Sequence, residues 1–380
     1  MSALSGVIVA DFSRVLAGPL AAMTLGDLGA NVIKVEPPGG DETRGWLPPV
    51  DSDDRSTYFH TANRNKRSVT LNLKDESDRA LAFELAMRAD VLIENFRPGT
   101  MARFGLDFET VHAAHPTLVY CSITGFGEGA GAEMPGYDPL IQALSGMMSI
   151  TGPLDGEASK VGVALVDVIA GLNAATGILA ALHDRKTLRD GQRVEINLLT
   201  TALAALANQS SAFLNTGVSP GRLGNVHPSI EPFSTYATAT GPIMICAGND
   251  RQFTQLAVTI GAPGLADDPR FTSNLDRVRN REELRAELEQ RLGLDSVEYW
   301  SEALNDAGVP AGPVNDIEGG FKLAESLGLD PVSEIDGIRT TASPIGLSVD
   351  PVETRLPPPG LNDHGEEIRT WLRAPREESV

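Results

Sequence analysis

An aspartate stands in a run that is otherwise apolar or small: Val163-Ala164-Leu165-Val166-Asp167-Val168-Ile169-Ala170-Gly171. Two readings fit it. An aspartate ahead of an apolar helix serves as an N-cap, accepting backbone N–H groups that the first turn leaves free. A carboxylate among apolar neighbours is also partly desolvated, which makes it a better nucleophile, and small neighbours leave room for an acyl group. Arg97 lies in Asn95-Phe96-Arg97-Pro98-Gly99, at the carboxyl end of an expected strand, with Arg103 close behind. Guanidinium groups there match phosphate oxygens, or are simply surface arginines. Gly125-Phe126-Gly127-Glu128-Gly129-Ala130 fits the dinucleotide pattern GxGxxA, but Pro135 and Gly136 follow it. No phosphate-facing helix starts in such a segment, so a glycine turn is the better reading.

Other chemistries find no support. The nucleophile elbow GxSxG and the phosphate loop GxxxxGK[ST] are absent. His60, His112, His115, His183, His227 and His364 are scattered without HExxH or another metal spacing. Cys121 and Cys246 belong to no CxxC pattern, which argues against a disulfide framework and a structural zinc site. The net charge of −20, from 31 basic and 51 acidic residues, repels nucleic acid and anionic membranes, so neither is expected as a partner. The first residues lack a basic n-region, and no apolar run approaches the ~20 residues of a membrane helix. The expected compartment is the cytoplasm.

The elements that must position these residues alternate. Residues 6–12 read as a strand, residues 21–28 as a helix ended by Gly29, and residues 31–36 as a second strand stopped by Pro37-Pro38-Gly39-Gly40. Strand, helix and strand in so short a stretch make a βαβ unit with parallel strands. Strands at 68–73, 90–94, 117–123 and 193–197, with helices at 75–88, 138–148 and 167–182, continue the pattern. They predict an open α/β sheet with helices on both faces. Residues 198–213 read as one long buried helix. A Gly-, Pro-, Asn- and Ser-rich stretch at 215–231 then separates a smaller α/β part, with strands at 234–237 and 243–247 and helices at 281–292 and 296–307. Between Gly308-Val309-Pro310 and Pro357-Pro358-Pro359 little regular pattern is visible. At 380 residues the expected division is a large domain over 1–215, a small domain with linkers over 216–330, and a segment over 331–380 that returns to the large domain.

Taken together, several segments resemble the class III coenzyme A transferases, the family of formyl-CoA:oxalate and carnitine CoA-transferases. They are Asp11-Phe12-Ser13-Arg14-Val15-Leu16-Ala17-Gly18-Pro19, Leu25-Gly26-Asp27-Leu28-Gly29-Ala30-Asn31-Val32-Ile33-Lys34-Val35-Glu36, Asn63-Arg64-Asn65-Lys66-Arg67-Ser68, Glu94-Asn95-Phe96-Arg97-Pro98-Gly99, Pro135-Gly136-Tyr137-Asp138 and the Asp167 segment. Gly40-Asp41 with Thr43-Arg44 completes the set, in family order over residues 4–361. The resemblance implies a large Rossmann-like domain plus a smaller one, in an interlocked homodimer with each chain threaded through the other. It implies Asp167 as the covalent carboxylate. Val15, Leu16 and Ala17 would line the coenzyme site through their backbone. Leu71, Lys74, Asn95, Phe96 and Arg103 would hold the nucleotide and pantetheine, with Arg97, the guanidinium candidate at the strand end, beside them, and Tyr137 would border the acyl pocket. The substrates would be an acyl-CoA and a carboxylic acid, with no permanently bound cofactor.

Departures from the formyl-CoA pattern set the expected substrates. That enzyme has Gln in place of Leu16, Arg close to Pro37 and Pro38, and a glycine run where this chain reads Leu223-Gly224-Asn225-Val226-His227-Pro228. The family's usual Leu-Gly-x-His becomes Leu361-Asn362-Asp363-His364. His227-Pro228-Ser229-Ile230-Glu231-Pro232 with Ala247-Gly248-Asn249-Asp250 is more like members that use succinyl-type dicarboxylates. The alternatives are a 2-methylacyl-CoA racemase on the same fold and a non-catalytic acyl-CoA-binding protein. The racemase places a histidine where this chain has Tyr137, and a tyrosine is a poor base at neutral pH.

Overall fold

The computed structural model describes residues 2–376. The chain divides into two units: the first runs up to Met147 and includes Lys160–Ser219 and the chain from Leu329 onward, and the second comprises Met148–Ser159 and Pro220–Gly328. The first unit is built on a six-stranded sheet of β1 (Ile8–Asp11), β2 (Asn31–Glu36), β3 (Lys66–Thr70), β4 (Val91–Glu94), β5 (Val119–Thr124) and β6 (Arg193–Asn197). The order is β3-β2-β1-β4-β5-β6 and every neighbouring pair is parallel. The helices up to Thr216 are α1 (Ala17–Asp27), α2 (Thr57–His60), α3 (Glu76–Arg88), α4 (Phe108–Ala114), α5 (Asp138–Leu144), α6 (Met147–Ile150), α7 (Leu165–Leu188), α8 (Leu198–Ala205) and α9 (Asn208–Thr216), of which α6 falls in the second unit from Met148 onward.

The strands β1, β4 and β5 are mostly apolar and buried because helices cover both faces of the sheet. Side chains alternate between two cores, as the period of a strand requires. Val9, Val91, Ile93, Val119 and Cys121 face one core, with α1 and α7. Ala10, Leu92 and Tyr120 face the other, with Leu81 and Leu85 of α3 and Val111 of α4. Small residues let α1 and α7 lie close, with Ala17, Ala21 and Ala22 on one helix and Ala170 and Ala174 on the other buried together. A β-carbon at Gly171 would sit 2.7 Å from the Ala17 carbonyl oxygen. α7 has 24 residues and is apolar enough to cross a membrane by length and composition, a span the sequence reading did not find. Its Val166, Ala170, Ala174 and Ile178 are fully buried in the first core, which is the position of a core helix.

The second unit has an antiparallel sheet of β7 (Phe233–Ala237), β8 (Pro242–Cys246) and β9 (Ala311–Pro313), in that order. Around it lie α10 (Asp250–Thr259), α11 (Asn274–Arg279), α12 (Arg281–Leu292), α13 (Val297–Asp306) and α14 (Ile317–Ser326). Tyr236, Ile243 and Ile245 pack with Phe253, Leu284, Leu288 and Trp300 in its core. Residues 148–159, which the sequence reading kept with the large domain, cluster here, and Arg222 donates to the Pro153 and Gly156 carbonyls.

The chain then returns to the first unit with a hairpin, β10 (Val332–Ile335) and β11 (Ile338–Thr341), and ends in α15 (Gly365–Arg373). With β9 and α14, the hairpin corrects the expectation of little regular pattern between Pro310 and Pro357. Ile368 and Leu372 of α15 are buried in the second core, and Arg369 donates to Asp78 and to the Thr70 carbonyl. Two expected helices are broken. Residues 138–148 split into α5 and α6 around Gly146, which has φ +89°. Residues 198–213 split into α8 and α9 because Ala207 takes φ +45°, and α9 has no buried residue, so one long buried helix is not formed. The strand expected at 68–73 is β3, two residues earlier at its start.

Gly171→Val tests the α1–α7 approach. It should lower stability by about 1–3 kcal/mol through overpacking. Gly320→Ala, inside α14 with nothing within 4 Å of the new carbon, should leave the urea midpoint unchanged or raise it.

Candidate active site

In a sheet of this order the strand sequence reverses between β1 and β4, and their carboxyl ends open a crevice where ligands of α/β proteins bind. The loops that follow these two strands meet there. The Arg14 amide donates to Asn95 Oδ1 at 2.9 Å and Asn95 Nδ2 donates back to the Arg14 carbonyl at 2.8 Å. Val15 next to it has φ +68°, a strained conformation for a β-branched residue. Something must hold it, and Asp41 does so by accepting the Val15 amide at 3.3 Å.

Asp41 belongs to a buried ionic network beneath the loop. Lys34 Nζ reaches Asp41 at 2.9 Å and the Ser13 carbonyl at 3.1 Å. Lys66 Nζ reaches Asp11 at 2.8 Å and Asn63 at 3.0 Å, and Asp11 accepts the Ser13 amide and hydroxyl. Glu36 accepts Arg44, Ser68 and the Asp41 amide. Burial opposes the charge on Asp11, Glu36 and Asp41, yet the neighbouring cations and hydrogen bonds hold all three carboxyls below their usual range. Burial lowers Lys66 to about 8 against the pull of Asp11.

A cavity of about 170 Å³ opens above this network. Val15, Leu16 and Ala17 form one wall, Asn95 to Pro98 a second, the glycine turn at Gly125 and Gly127 a third, and Tyr137 the rim. Asp167 lines it as well. Gly125 and Gly136 approach backbone to backbone, since a β-carbon on Gly125 would meet the Gly136 Cα at 2.5 Å. That contact brings Tyr137 and Asp138 to the site. A neighbouring cavity of about 280 Å³ shares Arg14, Glu42 and Phe96 and is lined by Leu71, Asn72, Lys74 and Phe104. Thus eight of the sequence-derived residues border the first cavity and Leu71 and Lys74 border the second, with Phe96 between them. Arg103 lines neither: it sits in a 3-10 turn at Ala102–Phe104 and donates to Thr100. Asn95 reaches the cavity, but the Arg14 backbone takes both its polar atoms.

Asp167 is the third residue of α7 and does not cap it. Ala164 holds the N-cap position without a side-chain bond. The cap comes from Asp138, whose Oδ2 accepts the Val166 amide at 2.8 Å and the Asp167 amide at 3.2 Å. Burial, and then the charge of Asp138, push the Asp167 carboxyl from 3.8 up to about 7. Burial followed by Asp167 and Asp138 likewise raises the Tyr58 phenol. The arrangement is a partly desolvated, basic carboxyl at the mouth of a crevice with a helix start, Leu16 and Ala17, in its wall. It suits covalent acyl chemistry.

A family model described as CoA-transferase family III matches residues 4–365. The chain belongs to CoA-transferase family III. It is an enzyme, a CoA-transferase. An acetyl-CoA:oxalate CoA-transferase of Acetobacter aceti is 40% identical over 374 residues, covering 97% of this chain and 96% of that protein. A succinate–glutarate CoA-transferase of Agrobacterium fabrum is 41% identical over 388 residues, covering 97% and 95%. Among solved structures, a CAIB/BAIF family protein from Brucella suis superposes with a TM-score of 0.88 at 41% identity, covering 98% of this chain and 99% of that one. Sequence reasoning did not single out Arg14, Glu42, the glycine turn and Asp138 as site residues. The Gly125-x-Gly127 pattern and the Pro135-Gly136-Tyr137-Asp138 motif were the available signals.

The raised carboxyl has a measurable consequence for stability. Between pH 3.8 and about 7 the folded chain keeps a proton on Asp167 that the unfolded chain releases. Stability from this group is therefore lost as pH rises through that window. Compared with Asp167→Asn, which cannot titrate, the native enzyme should lose stability from pH 4 to pH 7 and run parallel above it in urea unfolding.

Proposed function

We propose that this enzyme moves coenzyme A between dicarboxylic acids of the succinate and glutarate kind, with Asp167 as the carrier. The observation that carries the reading is the Asp167 carboxyl, basic through burial and open to the cavity formed after β1 and β4. The acceptor class rests on the relatives, which are named for oxalate, glutarate and mesaconate, all dicarboxylates. The acyl-CoA and the acid are substrates, and no permanently bound cofactor enters the scheme.

The Asp167 oxygen attacks the thioester carbonyl of the donor acyl-CoA. The C–S bond breaks, CoA leaves as the thiolate, and a mixed anhydride forms. The thiolate attacks the aspartyl carbonyl, which yields an aspartyl-CoA thioester and releases the donor carboxylate. The acceptor carboxylate then attacks the aspartyl thioester and expels the thiolate. The thiolate attacks the acceptor's carbonyl in the new anhydride, so that the new acyl-CoA forms and Asp167 is free again. Every step is a substitution at an acyl carbon with no net proton change. Holding nucleophile and carbonyl together can lower such a barrier by about 7–11 kcal/mol. The first-turn amides of α1 have no intrahelical partner, and Leu16 and Ala17 line the cavity, which supports their donating to the developing oxyanion.

Coenzyme A would run from this cavity into the neighbouring one. Val15, Leu16, Ala17, Phe96 and Arg97 would flank the pantetheine, and Leu71 and Lys74 the nucleotide, with Arg103 reaching in only by turning its side chain. The active unit in this reading is an interlocked homodimer. Its support is apolar surface exposed on the single chain, at Leu172, Leu203, Phe213 and Leu214, of the kind a partner covers.

Mass spectrometry after incubation with succinyl-CoA should find CoA on the peptide containing Asp167. Asp167→Ala should lose both the adduct and the exchange of labelled succinate or glutarate, with an unchanged circular dichroism spectrum. Full turnover by that variant, or an adduct on another residue, would sink the covalent role.

A further inference from the structure

Asp138 is 3% exposed and stands at the first position of α5, yet the cavity does not use it. Its two oxygens are committed elsewhere. Oδ2 accepts the Val166 and Asp167 amides, and Oδ1 accepts Gln142 Nε2 at 2.6 Å. Gln142 is fully buried, and its Oε1 accepts the Val161 amide at 2.8 Å. The start of α7 and the chain leading into it are therefore clasped to α5 through one carboxylate and one amide.

We infer that Asp138 is the positioning residue for Asp167: it claims the free amides at the start of α7 and places its own negative charge beside the nucleophile. The argument is one of competition. A carboxylate in the first turn of a helix is ordinarily stabilised by the amides and the positive end of the dipole. Asp167 occupies such a position, and left alone it would draw on those amides and become a weaker base. Asp138 takes them from another helix, so Asp167 receives the repulsion of a like charge and little of the helix's stabilisation. The same bonds fix the direction of the first turn of α7, and with it the Asp167 side chain. This inference rests on Asp167 being the nucleophile, as proposed above.

The groups around Asp167 are Tyr58 from α2, Asp138 from α5, and Arg14, Glu42, Arg97 and Tyr137 at the cavity. Asp138→Asn removes one charge and leaves the others in place. The test is the initial rate of CoA adduct formation on the Asp167 peptide from succinyl-CoA between pH 5.5 and 8.5, in the native enzyme and in D138N. The free carboxylate of succinyl-CoA is ionised throughout this range. The native rate should rise about tenfold from pH 6 to pH 8 as Asp167 ionises, and the D138N rate by less than about threefold, because its midpoint moves to lower pH. A D138N rate that is lower at every pH but has the native midpoint would overturn the inference, since a purely structural cap would act that way. Absence of the adduct in the native enzyme would instead strike the nucleophile assignment itself. If D138N fails to fold by circular dichroism, Asp138→Ser, a neutral residue that caps helices well, is read by the same criterion.

Discussion

The site depends on charges buried under it. Lys34 and Lys66 have no exposure, and they stand among Asp11, Asp41 and Glu36, which are buried almost as deeply. Removing so many ions from water is costly, and their mutual attraction roughly offsets that cost only when the geometry is good and spare hydrogen-bonding capacity is filled. Here it is filled by Ser13, Thr43, Ser68, Asn63 and main-chain groups. The network contributes placement more than stability. It ties the ends of β1, β2 and β3 to the loop after β1, and it accepts the amide of Val15 in a conformation that residue would not adopt unaided. With the reciprocal Arg14–Asn95 bonds on the other side, the loop is held from both flanks of the crevice.

Much of this fold could be read from local pattern. Most of the strands are short runs rich in apolar residues, and their alternation with helical segments points to a parallel sheet covered on both faces. What local pattern could not show is set by contacts distant in sequence. α15 is a helix because Ile368 and Leu372 find the core behind β3 and because Arg369 finds Asp78, some three hundred residues earlier. The hairpin of β10 and β11 was not silent: Asp336-Gly337, both at positive φ in its two-residue turn, is a hairpin signal that went unread. The break between α8 and α9 rests on a left-handed alanine, and alanine carries no sign of that conformation.

The site was less legible than the fold. The residues around Asp167 favoured a cap over a nucleophile, and family resemblance reversed that order. The structure gives the cap to Asp138 and leaves Asp167 lining the cavity. Asp138 could not be recognised as the cap, because the helix it serves begins far along the chain and the two meet only through the fold. Asn95 shows the reverse case. It stands at a family position for the coenzyme, but its amide is spent on shaping the loop opposite. A residue type at a binding position can therefore act by building the wall and not by touching the ligand.

A carboxylate that exchanges a thioester with other carboxylates faces a constraint that ordinary nucleophiles do not. Its thioester and those of its substrates are chemically alike, so the thioester stages on either side of each anhydride are nearly balanced and the enzyme thioester is as open to water as to the acceptor acid. In the proposed scheme a stronger carboxylate base attacks the donor faster and makes a poorer leaving group, and a weaker one does the opposite. An Asp167 held near 7 by burial and by Asp138 sits at the basic end of that range. Desolvation thus acts twice on the same atom. It raises the energy of the free carboxylate, favouring attack, and it protects the uncharged thioester that follows, for which burial carries no such penalty. The negative neighbour works in the same direction, because Asp138 repels Asp167 only while Asp167 is charged. In the proposed scheme the resting site is strained against its own charge, and formation of the covalent intermediate relieves that strain.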